Sequence, residues 1–123
     1  MNLKEVMQQK NFAVLGDTVN PKKFACTIKN KMLDAGYNIY PVGKELSSLN
    51  DIDGEIDIID LCINPVRGLE LLKENKKSFK GIVVQPGAES PELLEWLEQQ
   101  KIPYLQGCLL VGLASYRSGE KIR

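Results

Sequence analysis

The chain has 123 residues, 43% of them hydrophobic and 26% charged, a balance that fits a folded globular protein rather than a disordered one. Its 16 basic and 16 acidic residues cancel, which removes the overall charge that a general nucleic-acid or membrane-surface role would use. There is no histidine, so Ser-His and Cys-His pairs, a histidine general base and histidine metal ligands are all excluded.

The opening stretch "MNLKEVMQQKNF" lacks the apolar core of a signal peptide, and Leu3, Val6 and Met7 suit a helix over residues 3–10. No apolar run approaches the ~20 residues of a membrane span. A soluble, cytoplasmic protein is expected, and with no linker-like shift in composition, a single domain over residues 1–123. "FAVLG" (12–16) reads as the first buried strand, followed by "GDTVNPKK". Phe24, Ile28, Met32 and Leu33 then share one helical face, with Gly36 as the stop and Asn20 and Pro21 as a possible cap and first turn.

"NIYPV" (38–42) is the second strand, and "KELSSLNDIDGE" after it reads as a loop with at most a brief helix. "IDIIDLCI" (56–63) is the third strand. Asn64 then caps a helix with Pro65 at its first position and Val66, Leu69, Leu72 and Leu71 inward. "GIVVQ" (81–85) is the fourth strand. "SPELLEWLEQQK" repeats the cap-and-proline grammar with Ser90 and Pro91, a shorter fifth strand lies in "IPYLQG" (102–107), and "CLLVGLASY" is an apolar tail expected to pack on the sheet.

Short β-branched runs alternating with helices specify an α/β fold: a Rossmann-like, doubly wound, mainly parallel five-stranded sheet flanked by helices. Such sheets bind ligands beyond the C-terminal ends of their strands, where the strand order reverses. At the first such end, Gly16 permits a sharp turn and close backbone approach, Thr18 adds a hydroxyl, and the following helix a positive end. These features suit either a diphosphate cradle or a plain turn. The G-x-G-x-x-G spacing of dinucleotide loops is absent, since Asp17 and Thr18 follow Gly16. Strand two runs into Gly43 and Lys44 instead of the carboxylate that holds an unmodified ribose, and lysine suits a phosphorylated one. Strands three and four end in "CINPVR" and "QPGAES", which put Asn64, Pro65, Pro86 and Gly87 at the crevice mouth.

Taken in order, these strand ends resemble the small stand-alone CoA-binding proteins of Rossmann-like fold, related to the CoA-binding domain of the succinyl-CoA synthetase α subunit. The resemblance covers about residues 10–114. It rests on Gly16, Thr18, Pro21, Lys23 and Phe24 in the first loop, on Tyr40, Pro41 and Val42, on Asp60 and Pro65, on Gln85–Gly87, and on Cys108–Val111. It departs at Asp17, at Ala25 and at Gly43-Lys44. The resemblance implies CoA or an acyl-CoA as ligand, with its diphosphate on the Gly16, Asp17, Thr18 and Val19 amides and the Thr18 hydroxyl, and Lys23 beside them. It implies Val42, Gly43 and Lys44 at the 3′-phosphoadenosine end, with Ile63, Asn64, Pro65, Gln85, Pro86 and Gly87 lining the remainder.

The synthetase relatives carry a phosphorylated histidine in a separate domain; this chain has no histidine, so the expected function is a non-catalytic binding module with no catalytic residue and no metal. A regulatory or protein-interaction module that kept the fold without the nucleotide is the alternative, and a homo-oligomer is compatible with either. Cys26, Cys62 and Cys108 are odd in number and never in a CxxC pair, so reduced thiols are expected, with Cys62 a small buried apolar residue in its strand. A cysteine nucleophile at Cys26 or Cys108 would need activation by lysine or a helix end.

Overall fold

In a computed structural model, residues 1–116 are described, and they run α1 (Leu3–Met7), β1 (Asn11–Gly16), α2 (Phe24–Asp34), β2 (Asn38–Gly43), β3 (Ile58–Leu61), α3 (Pro65–Glu74), β4 (Gly81–Val84), α4 (Pro91–Gln99), β5 (Tyr104–Gln106) and α5 (Leu109–Tyr116). The strands form one parallel sheet in the order β2-β1-β3-β4-β5. β1 and β2 each extend one residue beyond their apolar runs, whereas β3, β4 and β5 are one to four residues shorter than theirs, because those runs continue into the loops that leave the sheet.

The central strands are apolar on both sides because both faces are covered. Ala13, Leu15, Ile59, Leu61, Ile82 and Val84 face a core closed by Leu71 and Leu72 of α3 and Leu93 and Leu97 of α4, with Leu49 and Ile52 from the β2–β3 connection. Phe12, Val14, Ile58 and Val83 face Val6 and Met7 of α1, Ile28 and Met32 of α2, and Leu109 and Leu113 of α5. Full burial of each large side chain contributes about 1.5–3 kcal/mol, so these two layers supply most of the driving force. Tyr37 joins the second layer through its hydroxyl, which donates to the Met7 carbonyl at 2.7 Å, and through an edge-on contact with Phe12 at 5.3 Å.

Local signals set the helix ends. Asn64 Oδ1 accepts the Val66 amide at 2.8 Å with Pro65 as first helical residue, and Ser90 Oγ accepts the Leu93 amide at 3.1 Å ahead of Pro91. Gly36 at φ +93° ends α2, with its own amide bonded to Leu33 O and that of Tyr37 to Met32 O. The β2–β3 connection holds a short 3-10 turn, Leu49–Asp51, capped by Ser48.

Three details depart from the sequence reading. Helix α2 starts at Phe24, with Lys23 at the cap making no side-chain bond, so Pro21 precedes the helix and Asn20 accepts the Lys22 amide at 3.0 Å instead of capping it. Phe24 and Leu33 are exposed on α2, and Ala25 and Cys26 take the inward positions with Ile28 and Met32. In α3, Gly68, Leu71 and Leu72 are buried while Val66 faces solvent at 68% exposure. The inner parts of both stripes hold, with Ile28 and Met32 in α2 and Leu71 and Leu72 in α3 facing the core, and the departures lie chiefly at the helix starts, where Phe24 and Val66 face out.

Candidate functional site

The strand order reverses at β1: β2 lies on one side and β3 on the other, so the chain segments leaving β1 and β3 diverge and leave a crevice between them. Its floor depends on glycine. A Cβ on Gly16 would fall inside the radius of the Cys62 carbonyl oxygen and 2.7 Å from Ala25 Cβ, and Gly16 has φ +158°. Opposite it in register, Gly43 has φ +131°, and a Cβ there would sit 2.7 Å from Gly16 O. Two strand ends and the start of α2 converge here only because both side chains are missing.

Past Gly16, the chain is held by its own aspartate. Asp17 Oδ1 accepts the amides of Val19 and Asn20, each at 3.1 Å. The Asn20 amide is the main reason that the Asp17 carboxyl lies below its ordinary 3.8; desolvation opposes it, and the Val19 amide and the Lys44 and Lys23 charges assist. Thr18 is fully buried, and its hydroxyl donates to Glu45 Oε2 at 2.7 Å. The same oxygen accepts from Lys29 Nζ of α2 at 3.0 Å. The Thr18 bond above all, and then Lys29, keeps the Glu45 carboxyl below its usual range. This Thr18–Glu45–Lys29 chain ties the loop after β1 to the loop after β2 and so locates Lys44.

At the ends of β3 and β4, Ile63 and Asn64 follow Cys62, and Pro86 and Gly87 follow Gln85, with Gly87 at φ +94° and its amide bonded to Glu89 Oε1 at 2.9 Å. Cys62 is half-buried in the crevice wall and not fully inside its strand; burial, with Asp60 and Cys108 adding, pushes its thiol up to about 12. Gln85 turns inward. Its Nε2 donates to Asp60 Oδ1 at 2.6 Å in a fully buried pair whose other two oxygens, Asp60 Oδ2 and Gln85 Oε1, have no hydrogen-bond partner among the described residues. Burial pushes the Asp60 carboxyl up to about 7, with Gln85 drawing it only partly back. Protonating Asp60 provides the donor that the pair lacks.

The crevice has a volume of about 420 Å³ and is lined by Asp17, Lys23, Phe24 and Ala25 from the segment after β1, by Cys62, Ile63 and Asn64 after β3, and by Pro86, Gly87 and Ala88 after β4. Of the residues singled out in the sequence, Asp17, Lys23, Ile63, Asn64, Pro86 and Gly87 meet here. Gly16 lies beneath them, Gly43 and Lys44 stand at the neighbouring strand end, and Pro65 opens α3. Thr18, Val42 and Gln85 are buried away from the opening, and Val19 is exposed on the loop beyond it. The residues absent from the sequence reading of the site are Phe24, Ala25, Cys62 and Ala88. Phe24 and Ala25 had a legible signal, as the aromatic that follows Lys23 in the first-loop pattern and the small residue after it.

The family model described as a CoA binding domain matches residues 10–114. The uncharacterised protein YneT of Bacillus subtilis (strain 168) is 38% identical over 69 residues, covering 48% of this chain; the match spans 51% of YneT, about half its length. A conserved hypothetical protein from Pyrococcus furiosus superposes with a TM-score of 0.75 at 29% identity, over 84% of this chain and 98% of that one. A hypothetical protein from Pyrococcus horikoshii OT3 shares the fold with a TM-score of 0.83 at 21% identity, over 93% of this chain and 89% of its own. Among the described residues no helix is long and apolar enough to cross a membrane. With the parallel order, the crevice at its reversal and the match over most of its length, the chain belongs to the CoA-binding domain family.

Proposed function

We propose that this protein binds CoA or an acyl-CoA at the C-terminal ends of its strands, as a module that performs no reaction of its own. The observation that carries the reading is the crevice at the β1/β3 divergence, which gathers the loop after Gly16, Lys23 and the ends of β3 and β4, with Lys44 following Gly43 at the end of the neighbouring β2. Lys23 and the backbone amides after Gly16 suit a diphosphate, and Lys44 at the end of β2 suits a 3′-phosphate on the ribose. The apolar wall of Phe24, Ile63, Pro86 and Ala88 suits the pantetheine arm. A thiol pushed to about 12 is a poor nucleophile, which supports binding without chemistry at Cys62.

Isothermal titration with CoA, dephospho-CoA, NAD and NADP tests the reading. CoA should bind most tightly, and failure of all four would overturn it. The second reading, an interaction module that no longer takes a nucleotide, draws its support from the Asp17 carboxylate sitting on the loop amides. It requires that native mass spectrometry find no retained nucleotide and that CoA leave the melting temperature unchanged.

A further inference from the structure

We infer that Asp17 is a built-in competitor for the ligand's diphosphate: its carboxylate occupies the Val19 and Asn20 amides that an incoming phosphate oxygen would use, and lies in the crevice wall with Lys23. The inference rests on the CoA reading above. The loop after Gly16 already holds one anion, with Oδ1 accepting two amides at 3.1 Å each, and that anion belongs to the chain. Asp17 and Lys23 both line the crevice, so a diphosphate drawn to Lys23 meets the like charge of Asp17 in the same wall. It also finds two of the loop's donors taken. Binding must therefore displace the carboxylate from those amides or leave them unused, and either route lowers affinity for the anionic end of the ligand. The pantetheine end, on the wall of Ile63, Pro86 and Ala88, is unaffected. Asp17 thus sets how readily bound ligand is released without touching the apolar half of the site.

Two variants separate competition from simple loop support. Asp17→Ala removes both charge and acceptor and frees the amides; Asp17→Asn keeps the acceptor and removes the charge. Titration calorimetry with CoA, dephospho-CoA and phosphate-free pantetheine should give CoA and dephospho-CoA binding tighter by about tenfold or more in Asp17→Ala. Asp17→Asn should lie between it and the parent, and pantetheine should be equal in all three. Unchanged or weaker CoA binding in both variants, with the parent binding CoA, overturns the competitor role and leaves the CoA reading standing. No CoA binding by any of the three overturns both. Should Asp17→Ala fail to fold, the Asn variant, which preserves the turn, decides by its gain or lack of gain.

Discussion

Asp60 offers a measurement of how strongly the interior disfavours charge. Its carboxyl is fully buried beside Gln85 and is pushed from an ordinary 3.8 to about 7, chiefly by burial. A folded-state value above the unfolded one means that the folded protein favours the protonated form. The associated stability is fully present below about pH 4 and is lost as pH rises towards 7. At ~1.4 kcal/mol for each tenfold change in proton affinity, the whole displacement corresponds to about 4 kcal/mol, and the part between pH 5 and 7 to about 2 kcal/mol, since the carboxyl is only half ionised at the upper end. The carboxyls that the fold lowers, Asp17, Glu45 and Asp57, act in the opposite sense but below their ordinary values, and Cys62 ionises far above. The window from pH 5 to 8 therefore isolates Asp60. Urea unfolding across it should show the parent weakening and Asp60→Asn, which cannot ionise and still accepts from Gln85 Nε2, staying nearly level. Parallel curves for the two proteins, or a parent that strengthens as pH rises, would refute the reasoning.

Other outcomes follow from single contacts. Gly16→Ala forces a methyl onto the Cys62 carbonyl and Ala25 and should cost about 1–3 kcal/mol in urea unfolding, with CoA binding lost as the floor of the crevice moves. Lys44→Ala should weaken CoA by roughly three- to tenfold and leave dephospho-CoA unchanged, as calorimetry will show; an equal loss for both ligands would place Lys44 away from the 3′-phosphate. Asn64→Ala removes the acceptor of the Val66 and Arg67 amides and should cost about 1 kcal/mol, whereas Asn64→Asp should retain most of the stability. With its thiol held near 12, Cys62 should escape maleimide at pH 8 in the folded protein yet react in urea, read by peptide mapping; rapid labelling in the folded state would contradict the burial argument.

What the sequence determined by itself was everything with a local cause. The five strands announce themselves because a sheet covered on both faces needs continuous apolar runs, and α3 and α4 because Asn64-Pro65 and Ser90-Pro91 satisfy a helix start within three or four residues. The order of strand-end motifs was enough to point to the family and to the end of the sheet where a ligand belongs. Only the tertiary structure decided which of those motif residues face the opening. Thr18 carries the same hydroxyl whether it meets a phosphate or Glu45, and it meets Glu45 because the β1–β2 pairing brings residues 27 apart together. Gln85 turns to Asp60 because the pleat at the end of β4 points it inward, while Pro86 and Gly87 beyond it reach the crevice. Asp17, which next to a proposed phosphate reads as a misplaced charge, finds its partners in amides two and three residues onward and in lysines from two different segments. Composition and periodicity record what each residue is and how its neighbours repeat; which atom a side chain meets across the sheet depends on register and packing, and these exist only once the chain has folded.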